Sequence, residues 1–321
     1  RSRLGAEKPD CEMNSSSKIA ITMGDPAGIG PEVVLRACEA LASEALYPIV
    51  VGDPNHLETV ASKLHLQAPR EIFECGCVEP ALEPGRPRPI DGRIALQCII
   101  AAADLTASGN SAALVTAPVS KHVIAATKLG FTGHTEFLAA RANVRNPLMV
   151  FAGIRPAVAL LTTHLPLVTA VASVRRPAIV GALARLDGGW RRWFGNRPRI
   201  GVAGLNPHAG ELGLLGCEED GEVRPAIVEA RRGGADVHGP FPADSVFRHQ
   251  TLDVILALYH DQGTIMAKRA PEVSVNTTFG LPYPRTSPDH GVAYDIAGKG
   301  IADAGAMIAA VRLAAKMAAN R

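Results

Sequence analysis

Three apolar runs in this 321-residue chain each deliver a histidine at or just past their end: PAVALLTTH from Pro156 to His164, RIGVAGLNPH from Arg199 to His208, and LDVILALYH from Leu252 to His260. One histidine at a strand end is ordinarily a hydrogen-bonded structural residue. Three, each on a separate run, constrain the fold more tightly. In an open parallel sheet the C-terminal strand ends share one edge, where loops and helix N-termini gather ligands. The runs therefore predict a sheet whose C-terminal edge brings His164, His208 and His260 toward one cleft.

The rest of the chain alternates accordingly. KIAITM (Lys18 to Met23) reads as a strand entering GDPAGIGPE, and VVLRACEALASEAL then places apolar residues at helical spacing, with Pro31 in the first turn. YPIVVGD is a second strand and SAALVTAPVSK a third, after the helical segment IALQCIIAAADL. Strand, loop, helix and strand again predict a mostly parallel sheet covered by helices. The stretch from Leu148 to Leu167 is strand-like on both sides of GIRP and predicts a hairpin. Residues 76–93, rich in Pro and Gly, predict a surface loop, and AGAMIAAVRLAAKMAANR predicts a closing helix. Pro282, Pro284 and Pro288 predict a fixed loop across VNTTFGLPYPRTSPDHG rather than a strand. At this length a single core has usually stopped growing, so two lobes are expected.

Composition narrows the function. The set AVILMFWYC makes up 47% and charged residues 20%, the balance of a compact globular protein. Formal net charge is only +2 and basic residues are scattered, which argues against a nucleic-acid surface. No apolar run approaches the roughly 20 residues that span a bilayer, so no membrane partner is expected. The opening RSRLGAEKPDCEMNSSS lacks the apolar centre of a secretory signal. Residues 1–17 are expected to be a disordered leader, with the native start near Met13. Six cysteines without a CxxC pair read as reduced thiols and point to the cytoplasm.

The three histidines suit a catalytic divalent cation, because neutral imidazoles leave coordination positions open for substrate or water: zinc first, with magnesium, manganese or cobalt as further fits. Strand capping is the plainer alternative for each. Asp261, beside His260, and Asp244, in GPFPADSVF, are candidates to orient ligand imidazoles, with turn formation as their ordinary role. In GHTE (133–136), His134 and Thr135 open a helix whose free amides suit an anion, with Thr135 a candidate N-cap. Lys268, Asn276 and Arg285 frame an unusually polar segment. Arg and Lys together offer a carboxylate or phosphate a two-pronged fork and a point charge. GDPAGIG is neither GxGxxG nor a Walker loop, so it reads as a turn before a helix, with Asp25 candidate to face the cleft. No stretch identifies the nucleotide-binding residues.

ITMGDPAGIGPEV, TAPVSK, GHTEFLA, NPHAGE, GPFPADSVF, YHDQG and VNTTFGLPYPRTSPDHGVAYDIAGKGIAD, in this order, resemble the 4-hydroxythreonine-4-phosphate dehydrogenase family of vitamin B6 biosynthesis, over nearly all of the chain after about residue 18. The resemblance implies a homodimer with an isocitrate/isopropylmalate dehydrogenase-like fold: two α/β/α lobes with a cleft between them. The first lobe is expected over 18–135 plus 286–321 and the second, with the metal ligands and dimer contacts, over 136–285. The resemblance implies NAD or NADP bound without a GxGxxG loop, and a divalent metal on His164, His208 and His260, one of them donated across the dimer. It also implies a small anionic substrate on His134, Thr135, Lys268, Asn276 and Arg285. The implied reaction oxidises a secondary alcohol and decarboxylates the resulting β-keto acid. Lys268, or a water held by Asp244 or Asp261, are the candidates for the proton acceptor.

Two departures bear on substrate. After NPHAGE the chain reads LGLLGCEED where the biosynthetic pattern continues GGHxGxEE, and RAPEVSV separates Lys268 from Asn276. Both place the chain nearer branches whose substrates resemble phosphorylated threonate or erythronate. A further branch oxidises cis-dihydrodiols of aromatic carboxylates such as terephthalate. Retention of GHTE, Asn276 and Arg285 argues for a phosphate-like group and ranks the diol second. A non-catalytic sugar-acid binding protein is the alternative from another class.

Overall fold

The computed structural model describes residues 18–128 and 130–320; the expected leader, residues 1–17 with Met13, lies outside them. In chain order the first half comprises β1 (Lys18–Thr22), α1 (Gly30–Ala40), β2 (Tyr47–Gly52), α2 (Pro54–Leu64), β3 (Ile72–Glu74), α3 (Pro89–Ala107), β4 (Ala113–Val115), α4 (Lys121–Ala125) and α5 (His134–Arg141). The hairpin β5 (Leu148–Ala152) and β6 (Ala157–Leu160) follows, then α6 (Leu167–Ala172), α7 (Arg176–Phe194), β7 (Arg199–Ala203), α8 (Arg224–Arg232) and β8 (Asp236–Phe241). The chain closes with α9 (Ala243–Val246), β9 (Val254–Ala257), α10 (His260–Arg269), β10 (Val275–Phe279), β11 (Arg285–Pro288) and α11 (Gly305–Ala318).

The fold is α/β. The strands join one sheet in the order β3-β2-β1-β4-β11-β10-β5-β6-β9-β7-β8. Pairing is parallel except at β11-β10-β5-β6, where each neighbouring pair is antiparallel. Strands from residues 18–115 and 285–288 form one end of the sheet and those from 148–279 the other. β5, β6 and β9 are buried at every position, as strands covered on both faces must be. Leu256, fully buried on β9, shows the energetic scale: truncation to Ala at such a site costs about 2–5 kcal/mol. α11 aligns Met307, Ala310, Val311, Ala314 and Met317 on one buried stripe, which covers β4 and β11.

Two sequence expectations are corrected. The Pro/Gly-rich loop expected over 76–93 ends at Arg88, because Pro89 opens α3 and the Arg88 N–H donates to Asp91 Oδ2 at 2.8 Å in a capping box. The segment expected as a fixed loop across 275–291 contains β10 and β11, paired Val275↔Pro288 through Thr277↔Thr286. Its prolines are compatible with that pairing because Pro282 and Pro284 lie in the turn and Pro288 is the last strand residue.

The glycines of GDPAGIG serve close packing. Gly24 has φ +83°, and a Cβ there would lie 2.8 Å from the Pro118 carbonyl; one on Gly28 would lie 2.9 Å from that of Val292. Asp25, expected at the cleft, is instead buried in this packing. It accepts the Tyr294 hydroxyl at 2.6 Å and the Ala27 N–H at 2.9 Å. Burial raises its carboxyl above the ordinary value, against the pull of the Tyr294 bond.

Candidate active site

β6, β9 and β7 are parallel neighbours, so their C-terminal ends share one edge. β4 and β11 also run parallel to each other, and their ends deliver Thr116–Lys121 and Asp289–Gly291. Together with the start of α5 these segments enclose a cavity of about 380 Å³ floored by β5, β10 and β11. It is lined by His134, Thr135, His164, His260, Lys268, Asn276 and Arg285, seven of the residues singled out in the sequence.

The strongest chemical demand comes from Arg285. It is 2% exposed, and its hydrogen bonds go to hydroxyls: Nε and Nη2 donate to Thr116 Oγ1 at 3.1 and 2.5 Å, and Nη1 donates to Thr278 Oγ1 at 3.3 Å. Among the described residues no carboxylate lies within ion-pair distance of it. Burial lowers the guanidinium to about 10, which still leaves it charged at neutral pH. A buried cation with only neutral partners calls for an anion.

Polar atoms around it also lack partners. His134 Nε2, Asn276 Oδ1 and His290 Nε2 are buried without a hydrogen-bond partner, and all three residues line the cavity. His134 opens α5 behind Gly133, which supplies no side-chain cap; Thr135, expected as a possible N-cap, is the next residue in and faces the cavity. Burial holds His134 well below its ordinary pKa, assisted by the charges of Arg285 and Lys121. Its imidazole is therefore neutral at pH 7.

In the same cavity the rings of His164 and His260 lie 5.7 Å apart between centroids. His260 Nδ1 is 2.6 Å from Asp261 Oδ1, an arrangement that fixes the ring and directs Nε2 away from the carboxylate. Asp244, in the first turn of α9, is exposed and does not line the cavity. His208 does not line it either. It is exposed on a turn where His208 to Leu212 all have positive φ, between 44° and 81°. Among the described residues no group of three or more His, Cys, Asp or Glu side chains could hold a metal. The two cavity imidazoles thus fit part of a ligand set.

Several residues that the sequence reading did not single out belong to this site. Lys121, Glu136 and Asp289 line the cavity, with Asp289 Oδ2 3.8 Å from Lys268 Nζ and Glu136 Oε1 4.0 Å from His164 Nδ1. Burial raises the Asp289 carboxyl, opposed by the charges of Lys268, His290 and His260. Gly133 makes room for two of them: a Cβ there would come within 2.7 Å of Glu136 Oε2 and 3.2 Å of Lys121 Nζ. Glu219, 1% exposed, anchors the turn that presents His208 by accepting the N–H groups of Leu205 and Asn206, both at 2.8 Å, and Asn206 Nδ2 at 2.9 Å. Lys121 carried the same signal as the histidines, a polar residue closing the strand-like SAALVTAPVSK, whereas Asp289 lay in a segment that reads as a loop. Glu219 carried none, because its partners are two backbone N–H groups and one side-chain amide of the segment it anchors.

Over nearly its whole length the chain is similar to known proteins. The family model of the pyridoxal phosphate biosynthetic protein PdxA matches residues 43–314. The chain is 43% identical to a 4-hydroxythreonine-4-phosphate dehydrogenase from Cupriavidus pinatubonensis, across 94% of this chain and 95% of that protein. The crystal structure of a 4-hydroxythreonine-4-phosphate dehydrogenase from Klebsiella pneumoniae superposes with a TM-score of 0.86 at 36% identity, covering 94% of this chain and 99% of that one. A terephthalate 1,2-cis-dihydrodiol dehydrogenase from Burkholderia xenovorans superposes less well, with a TM-score of 0.68 at 27% identity over 94% of this chain and 98% of that one.

Proposed function

The chain belongs to the family of the pyridoxal phosphate biosynthetic protein PdxA, and from that premise we propose that it is a metal-dependent NAD(P) dehydrogenase that oxidises and decarboxylates a small phosphorylated hydroxy acid. The substrate is 4-hydroxythreonine 4-phosphate, as the relatives' name states for them, or the closely similar phosphothreonate or phosphoerythronate. The observation that carries the reading is the buried, carboxylate-free Arg285 in one cavity with His164 and His260.

Arg285, His134 and Thr135 bind and orient the anionic group, His134 Nε2 as a donor in its N–H tautomer, while Asn276 Oδ1, an acceptor, takes a hydroxyl or ammonium donor elsewhere on the substrate. NAD(P)⁺, when bound, would supply the hydride acceptor, and a divalent cation, which His164 and His260 would help hold, would supply positive charge at the alcohol oxygen. Asp261 keeps the His260 ring in one orientation. Of the three proton-acceptor candidates, Lys268 is the one whose side chain lines the cavity; the alcohol proton would pass to Nζ of its neutral amine, with Asp289 alongside. Negative charge left on the substrate as carbon dioxide departs falls among Lys268 and Lys121.

The third metal ligand in this reading is His208 of a second copy. Large apolar side chains stand exposed on the segments that carry or follow each histidine: Leu165, Leu167 and Val168, then Leu212, Leu214 and Leu215, then Ile265 and Met266. Such side chains suit burial against a second copy in a homodimer. The diol alternative gains no support from the weaker similarity to the dihydrodiol enzyme, and relatives that are dehydrogenases speak against a non-catalytic binder.

The reading is tested by incubating the protein with NAD⁺ or NADP⁺, a divalent cation and each phosphorylated acid while carbon dioxide and reduced nicotinamide are quantified together. Equal amounts of both, lost on His164→Ala or His260→Ala in a folded protein, support it. Turnover that survives both substitutions contradicts it.

A further inference from the structure

Arg285 is held by an unusual set of partners. A guanidinium carries five N–H donors. Three of them go to hydroxyls: Nε and one on Nη2 to Thr116 Oγ1, and one on Nη1 to Thr278 Oγ1. Five less three leaves two, one on each terminal nitrogen, which is the pattern that meets two oxygens of one oxyanion. Thr116 and Thr278 are both fully buried. They follow β4 and lie on β10, the neighbours of β11, so the clamp is built across three adjacent strands. The Thr116 N–H donates to the Thr286 carbonyl at 3.0 Å, which ties its backbone to the residue after Arg285. Branching at Cβ restricts the rotamer of each threonine, so each hydroxyl is aimed rather than free to turn away.

Neutrality of the partners decides what the arginine can do. A carboxylate at position 116 would make a closed internal ion pair, stable but with its charge already spent. Hydroxyls satisfy the geometry and leave the charge unmatched.

We propose that Thr116 and Thr278 are positioning residues that hold Arg285 as a two-pronged receptor for one oxyanion of the substrate, fixing the guanidinium while keeping its charge and two N–H groups available. This rests on the anion-binding reading of the cavity, and deepens it by naming what sets the arginine's availability. Phosphate and carboxylate both present two oxygens at suitable spacing, so inorganic phosphate and acetate serve as separate probes of which group sits there.

The experiment compares Thr116→Ser, Thr116→Val, Thr116→Asp and Thr278→Val in the full chain. Calorimetry gives the dissociation constants of phosphate and acetate, steady-state kinetics with NAD(P)⁺ and metal give KM and kcat, and thermal melts monitor the fold. Valine keeps the shape but removes the acceptor for two N–H groups, so anion binding and KM should both weaken by about tenfold or more. The change in kcat should be smaller, as expected when uniform binding is lost. Serine should restore both quantities to within about threefold. Aspartate should remove phosphate binding while leaving the melting temperature equal to or above that of the parent. Thr278→Val, which removes the longer bond, should fall between parent and Thr116→Val. The proposal is overturned if Thr116→Val melts, binds phosphate and shows a KM like the parent's, or if a folded Thr116→Asp binds phosphate as well as Thr116→Ser; the latter comparison stands even if valine prevents folding. A parent that binds phosphate with this order of variants but turns over no phosphorylated acid would sink the proposed reaction and leave the clamp intact.

Discussion

Replacing Arg285 with methionine should move stability and function in opposite directions. The protein holds this guanidinium at 2% exposure with hydroxyl partners. Desolvating a charged group costs several kcal/mol, and its three hydrogen bonds each return about 1.5–3 kcal/mol. The two sums nearly cancel. An apolar side chain of similar length should therefore leave stability unchanged or raise it by up to about 3 kcal/mol. At about 2–4 °C per kcal/mol for large domains, the melting temperature should hold or climb by several degrees. Substrate binding should suffer instead, because removing one partner of a desolvated charge pair costs about 2–5 kcal/mol, or about 30-fold to several thousand-fold in KM. Thermal melts without ligand and steady-state kinetics on the same preparations read the two effects. A variant that melts well below the parent while keeping its KM would show that Arg285 is a structural residue and would refute the argument.

Other expectations follow from the same geometry. His134 is held below its ordinary value of 6.5, so between its folded pKa and about 6.5 the unfolded chain binds the extra proton and stability falls as pH drops. Denaturant midpoints of the parent should decline more steeply below about pH 6.5 than those of His134→Asn, and parallel curves would contradict the assignment. Gly133→Ala should fold, because the side chains a Cβ would meet have flexible ends, yet lose about tenfold or more in kcat/KM as Glu136 and Lys121 are displaced. Glu219→Gln removes the charge from hydrogen bonds worth about 1.5–3 kcal/mol each and should loosen the turn that presents His208. The divalent-cation concentration for half-maximal activity should then rise, and an unchanged value would separate Glu219 from the metal.

Much of the fold was legible because local pattern and tertiary context agree. The three histidine-bearing runs do become the parallel neighbours β6, β9 and β7, and the interruption at GIRP is the turn of the β5-β6 hairpin. Proline misled at 282, 284 and 288, since a proline in a turn or at a strand end leaves the adjoining ladder intact. At the site, the polar segment framed by Lys268 and Arg285 pointed to those two residues, and strand-end polarity found His164 and His260. It gave no means of separating His208, whose turn carries it away from the cavity of its own chain, from the other two histidines. Thr116 and Thr278 were invisible for a different reason. A buried threonine on a strand is ordinary in sequence, and only the position of the Arg285 guanidinium gives it a task.

The measurement that bears most directly on the central claim is the formation of reduced nicotinamide, followed by absorbance with added divalent cation. Four substrates are compared in parallel: 4-hydroxythreonine 4-phosphate, 4-phosphothreonate, 4-phosphoerythronate and a terephthalate cis-dihydrodiol. Turnover of at least one phosphorylated acid, inhibited by inorganic phosphate, is the expected result. Turnover of the diol alone, indifferent to phosphate, would contradict the claim.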